Sequence, residues 1–316
     1  MLTFSTILVT ILASIPPQLD PANQAAEDGA ARGVSQVSQI LDWLPPDTST
    51  VVVNTQPGKV NLKKDTGPLA EFASILALIG LPTWSNFKYE FVVHGARHSR
   101  DPKELGLSPY DGCDVLGMQK DEYKRMLAHA EKYSVRRGLV GGMTVYVFEE
   151  PMERDKWTYY FAFADGLMFC ATSKAYFSEL FQRRAHASDE VAFPQTLEEW
   201  QYIDKDAPLW AIRVIPTDAK QRMKRDLDDG QIVGFAVSMD KLKQRVTVTS
   251  ISTNPKGYEI AAHLWRGILK NEQAAAPLEV VKVDKRVTRI VLDAQAPHGE
   301  APIFFLIAVL GHPVFL

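Results

Sequence analysis

The sequence predicts an α+β protein: mainly antiparallel sheets with helices packed on one side, arranged as two pseudo-repeated halves. Three observations predict it. Short β-branched or alternating runs come in pairs joined by turn residues, and strands joined that tightly must run antiparallel. Amphipathic helical stretches follow those pairs, each with one apolar face to lay against a sheet. The order strand, strand, helix occurs at 88–133, at 157–184 and at 231–270.

The chain opens on Leu2 to Ile15, a run without a charge, halted by Pro16-Pro17. A spanning helix needs about 20 apolar residues, so residues 1–15 fit the apolar core of a secretory signal better than a permanent anchor. Export, periplasmic or secreted, is the expectation. No Lys or Arg precedes the run, and Leu12-Ala13-Ser14 followed by Ile15 is an imperfect cleavage site, which keeps an uncut tether as the variant reading. Residues 16–33 are rich in Pro, Ala and polar residues without periodicity and read as a linker.

The first half is expected over 34–185. Val34, Val37, Ile40, Leu41 and Leu44 are spaced for a helix that Pro45-Pro46 stops. Thr50 to Asn54 is β-branched and reads as a buried strand. Gly67-Pro68 opens a helix with Leu69, Phe72, Ile75, Leu76 and Ile79 inward. Strands are expected at Lys88 to His94 and Cys113 to Met118, then a helix over 120–133 with Tyr123, Met126, Leu127 and Ala130 on one side. Gly138 to Gly142 reads as a loop, and Thr144 to Phe148 alternates as a strand does. Trp157 to Ala164 and Leu167 to Ala171 flank Asp165-Gly166, the signature of a tight hairpin whose turn needs φ > 0. Ser173 then caps a helix that buries Phe177, Leu180 and Phe181.

The polar stretch His186 to Pro194 marks the boundary, and the second half is expected over 195–316. Thr196-Leu197-Glu198-Glu199 has the spacing of a capping box. Pro208 to Val214 is a strand, and Thr217 to Gly230 a charged helix. Gln231 to Ser238 and Arg245 to Thr253 are strands. Asn254-Pro255 opens a helix with Tyr258, Ala261, Ala262, Trp265, Ile268 and Leu269 inward. Leu278 to Val283 and Arg286 to Asp293 form a hairpin around Asp284-Lys285.

Composition narrows the function classes. With 316 residues and 46 % hydrophobic content, a sizeable core is available. A net charge of -3 and a pI near 6.2 argue against a phosphate-backbone binder, so no nucleic-acid partner is expected. Two cysteines, Cys113 and Cys170, are too few for a disulfide framework or a Cys-based zinc site, and their pairing is open. Beyond the N-terminal segment no stretch is long enough to span a bilayer; Pro302 to Leu316 is broken by Gly311-His312-Pro313. No cofactor is implied, and the partner, ligand and oligomeric state are unassigned.

Trp43-Leu44-Pro45-Pro46-Asp47 leading into Val51-Val52-Val53, together with the element order, resembles uncharacterised exported bacterial proteins of repeated α+β design. The resemblance implies export and the fold class, and it implies no activity.

Candidate chemistry is sparse, and no catalytic set is assigned. His94 and His98 are the candidate metal ligands. Spacing of four converges on a helix, but here the residues sit on a strand, where the same spacing is ~13 Å. Asp101, Asp111 and Asp114 lie nearby and offer an acid–base partner, although Asp111-Gly112 reads first as a turn. Gly138, Gly141 and Gly142 beside Arg136 and Arg137 lack the residues of a phosphate loop. Asp226, Asp228 and Asp229 lack the later Glu of a calcium loop. Cys170 lies in an apolar strand, where a thiol is inert. The first expectation is therefore a non-enzymatic exported protein, binding or structural. The alternative is a hydrolase-like or metal-dependent enzyme using His94 and His98 with Asp111 or Asp114.

Overall fold

The computed structural model describes residues 35–55, 58–61, 86–98, 110–151, 156–171, 173–186, 188–214, 232–240, 245–259, 262 and 278–293. These form two compact units. The first holds the described residues up to Thr48 and then Val53–Ala192; the second holds Ser49–Val52 and the described residues from Phe193 onward. The strand β1, Thr50–Asn54, is thus divided between them.

In the first unit, helix α1 (35–43) buries Val37 and Ile40, with Leu44 buried just beyond. Strands β2 (Gly58–Asn61) and β3 (Asn86–Tyr89) make an antiparallel pair of their own. The main sheet holds β4 (Phe91–His98), β5 (Tyr110–Gly117), β6 (Arg136–Val140), β7 (Met143–Pro151), β8 (Lys156–Ala164) and β9 (Leu167–Ala171). They are ordered β4-β5-β9-β8-β7-β6, and all five pairings are antiparallel. The expected single strand from Lys88 to His94 is in fact β3 and β4, separated by a bend at Glu90.

Helices α2 (Lys120–Tyr133) and α3 (Lys174–Ala185) cover opposite faces of this sheet. Alternation along β9 shows it. Met168 packs with Val92, Leu116, Met126 and Ala130 on the α2 side. Its neighbour Phe169 turns the other way and meets Phe177 and Phe181 of α3, with ring centroids 6.5 and 5.1 Å away. Helices on one side only, as the sequence suggested, is therefore corrected for this unit. The reason is that β4 runs Phe91, Val92, Val93 with every residue buried, so neither face can be left to water.

Local signals set the connections. Asp165 and Gly166 have φ of 52° and 79°, the two positive values a two-residue hairpin of matching twist requires. Gly141 and Gly142 repeat the device at 55° and 79°. The expected loop from Gly138 to Gly142 is therefore a strand, β6, with a turn of two residues at its end. Ser173 caps α3, its Oγ accepting from the Tyr176 N–H at 3.2 Å, and Phe177, Leu180 and Phe181 are buried.

In the second unit, β10 (Leu209–Val214), β11 (Ile232–Asp240), β12 (Arg245–Ser252), β13 (Leu278–Lys282) and β14 (Val287–Asp293) form antiparallel pairs in the order β13-β14-β12-β11-β10. The expected capping box does not form. Glu198–Tyr202 is a 3-10 turn with Leu197 at its cap and no side-chain cap bond. Glu199 is buried instead, over Gly234, where a Cβ would come within 2.0 Å of Glu199 Oε1. Asn254 Oδ1 accepts from the Lys256 N–H at 2.9 Å and leads into a helical turn at 257–259.

Several expected features lie outside the described residues: the apolar segment 1–15, the linker 16–33, the helix from Gly67 with Phe72, Asp101, the helix from Thr217 with Asp226, Asp228 and Asp229, Trp265, and Pro302 to Leu316. Among the described residues, no helix is long and apolar enough to cross a membrane.

Candidate functional site

A charged cluster gathers on the α3 face of the first unit, around Arg97. Position 97 sits on β4 two residues beyond Gly95, and alternation points both to the same side. Gly95 is small for a reason: a Cβ there would come within 2.7 Å of both Leu44 and the Tyr176 hydroxyl. That close approach brings the segment after α1, the end of β4 and the first turn of α3 together. Arg97 Nη1 donates to Asp47 Oδ1 at 2.8 Å and to Glu179 Oε2 at 2.7 Å, while Nη2 donates to Glu179 Oε1 at 3.0 Å. Its Nε reaches Asp111 Oδ2, the cross-strand partner on β5, at 3.4 Å. The guanidinium lies 5.2 Å from the ring centroid of Tyr176, whose hydroxyl meets Thr48 Oγ1 at 2.8 Å.

The electrostatics follow from burial. Desolvation alone would lower the Arg97 pKa, yet the hydrogen bonds to Glu179 and Asp47 outweigh it and hold the guanidinium above its ordinary value. Burial pushes the Asp111 carboxyl upward, opposed by Arg97 and by a hydrogen bond from Ser173. Burial also raises Tyr176, with the Thr48 bond working against it. A fork whose two terminal nitrogens are held by Glu179, with Asp47 and Asp111 beside it, is a clasp joining four chain segments.

The opposite face carries a second pair. His94 Nδ1 lies 2.8 Å from Asp114 Oδ1, and both residues are buried. Asp114 Oδ2 is buried with no hydrogen-bond partner. The geometry is that of a carboxylate orienting an imidazole.

No protein-family model matches the chain, and no curated protein matches it. Among solved structures it is similar to TP0453, a Treponema protein, in crystal form I, at 10 % identity over 86 % of this chain and 97 % of that one, with a TM-score of 0.44. Crystal form IV of TP0453 gives 8 % identity, coverage of 84 % and 96 %, and a TM-score of 0.37. The likeness is weak.

The sequence candidates are thus distributed as follows. His94 is brought to Asp114. Asp111 is brought to Arg97 and is not in a turn: Asp111-Gly112 lies inside β5, and a Cβ on Gly112 would stand 2.9 Å from the Gly95 carbonyl oxygen. His98 ends the same strand as His94, so the pair is separated by the strand rise rather than gathered as on a helix. No group of three or more His, Cys, Asp or Glu suited to a metal occurs among the described residues. Cys113 and Cys170 are free. Cys113 is in register with Ala171 and Cys170 with Asp114, which puts the thiols on opposite faces of the sheet. Asp47, Thr48, Tyr176 and Glu179 were not singled out by sequence. The one signal for Asp47 was its place at the end of the Trp43 to Asp47 stretch.

Proposed function

We propose that this chain is an exported, non-enzymatic protein whose α+β body serves binding or structure, built as two units of related design. The observation that carries the first part is the Arg97 clasp. Three carboxylates close on Arg97 and bond it, joining α1's exit, β4, β5 and α3. Strand order supports the second part. In the first unit the chain runs β4, β5, then a helix, and returns from the outer edge β6 back to β9 beside β5. In the second it runs β10, β11, β12 and returns from the edge β13 to β14 beside β12. Export rests on the sequence of residues 1–15. Mass spectrometry of the mature N-terminus from cell fractions tests it: an intact Met1 in a cytoplasmic fraction refutes export, and an intact Met1 in the membrane fraction means a tether.

The second reading, a hydrolase-like enzyme, is favoured by the His94–Asp114 contact at 2.8 Å, the arrangement in which a carboxylate orients a general base. The two readings part on one experiment. Purified protein is assayed against ester, phosphate, glycoside and peptide substrates beside His94→Ala and Asp114→Asn. Turnover that disappears in folded His94→Ala overturns the non-enzymatic reading.

A further inference from the structure

Three of the four exposed large hydrophobic residues among the described residues fall within seven positions of each other: Tyr133 at 46 %, Val135 at 60 % and Leu139 at 74 % exposure. Tyr133 ends α2, Val135 lies in the link that follows, and Leu139 is in β6, the outer strand of the first unit's sheet among the described residues. We propose that β6 is a docking edge for an extended segment of a partner protein, apolar at one end and acidic at the other, which adds to the sheet as an antiparallel strand. The inference deepens the binding reading above by naming the class of partner.

The backbone supplies the first argument. A turn of two residues at Gly141-Gly142 makes Val140 and Met143 the hydrogen-bonded pair that closes the hairpin. Val140, Gly138 and Arg136 therefore aim their N–H and C=O groups at β7. The intervening Leu139 and Arg137 aim theirs outward, where no strand lies among the described residues. Val135 donates inward, to the Val147 carbonyl at 2.9 Å. The open edge is thus short and centred on Gly138, where a Cβ would meet nothing within 4 Å.

The side chains supply the second. A strand outboard of β6 would face Arg136, Arg137, Gly138, Leu139 and Val140 as its direct cross-strand neighbours, and opposite charges in that relation attract. Read antiparallel, the complement is apolar, apolar, any residue, acidic, acidic. Edge strands are usually blunted by charges standing over the open side. Here the arginines stay exposed but bond back to their own unit: Arg136 to Glu149 at 3.0 Å, and Arg137 to the Glu131 carbonyl and the ring of Tyr146. They still present positive charge without capping the outward backbone. A lipid surface would leave those backbone groups unsatisfied. A second copy, paired about a two-fold at Gly138, would set the two Arg137 side chains on a diagonal against each other.

The test is a fluorescence-anisotropy titration of the full chain with a labelled peptide whose core reads Val-Leu-Thr-Glu-Glu. The same core with Lys for Glu should bind at least about tenfold more weakly. Leu139→Pro, which removes an outward donor and leaves the β6–β7 ladder intact, should weaken binding by about the same factor. A peptide N-methylated opposite Leu139 reads the same backbone bonds without altering the protein. Equal binding of the Glu and Lys cores, or unchanged binding after both backbone blocks, overturns the proposal. So does an edge that instead mediates a dimer in sedimentation, or binding to phosphatidylserine vesicles, if either is lost in Leu139→Pro. Such a failure leaves the non-enzymatic reading standing, because that reading is tested on His94 and substrate turnover.

Discussion

Replacing Arg97 with Met should be among the most damaging single changes in the first unit. Met keeps much of the buried volume, so the loss is charge and hydrogen bonding rather than a cavity. The cost divides by exposure. The Asp47 and Glu179 side chains are 38 % and 33 % exposed, so both carboxylates can recover water when the guanidinium goes. Asp111, at 8 %, cannot. Breaking one side of a buried ion pair costs about 3–5 kcal/mol, and the solvation left to two of the three partners puts Arg97→Met near the lower end, about 3 kcal/mol. Urea denaturation at pH 7 should show a lower midpoint at an unchanged slope for the first unit's transition. The double variant Arg97→Met/Asp111→Asn removes the stranded charge and should recover at least about 1 kcal/mol. The pH dependence has a definite sign. Burial already holds the Asp111 carboxyl above its ordinary 3.8 against the pull of Arg97. The folded chain therefore binds that proton more readily than the unfolded one, and stability falls as pH rises through the interval between the two values. Without Arg97 the interval extends upward, so the deficit of Arg97→Met should shrink as pH is lowered from neutrality into it. A cost below about 1 kcal/mol, or a double variant no more stable than the single one, would refute the assignment of the clasp as a structural device.

Two further outcomes follow from the same sheet. Burial raises both thiols well above their ordinary value, so Cys113 and Cys170 should react slowly with a thiol reagent in the native protein and fully once it is denatured without reductant; a protein that yields no thiol under those conditions contradicts the opposite-face placement. Gly166→Ala puts a side chain at φ 79° in the β8–β9 turn and should cost about 1 kcal/mol in thermal unfolding, whereas Gly138→Ala, at an open strand position, should cost far less.

What could be read from the chain without its structure was whatever depends on neighbours in sequence. The Asp165-Gly166 hairpin, the Ser173 cap and the inward Phe177, Leu180 and Phe181 are local decisions: a turn geometry, an orphan N–H, a helical period. Their physics is complete within a dozen residues, and they stand where expected. Misreadings came where a residue type has two local uses. Asp111-Gly112 has the composition of a turn, but its glycine is small because the Gly95 backbone passes close by. Gly138 to Gly142 has three glycines, and only the last two serve the turn. Thr196 to Glu199 has the spacing of a capping box, but its last glutamate is buried and no side-chain cap bond forms.

The clasp was invisible for a deeper reason. By sequence alone Arg97 has the look of a solvated charge at a strand end, because a lone Arg nearly always is one. Its burial depends on partners 50, 14 and 82 positions away, brought in by a helix exit, a cross-strand register and the first turns of another helix. No periodicity encodes that meeting. It is a property of register: shifting β5 against β4 by a single residue would send Asp111 to the other face and hand Arg97 the glycine at 112 instead. The same logic separates His94 from Arg97. Three positions apart on one strand, they fall on opposite faces, so one carboxylate of β5 serves the imidazole and another the guanidinium. His94, Arg97, Asp111 and Asp114 are neighbours in sequence, yet the pleat keeps them apart as two sites.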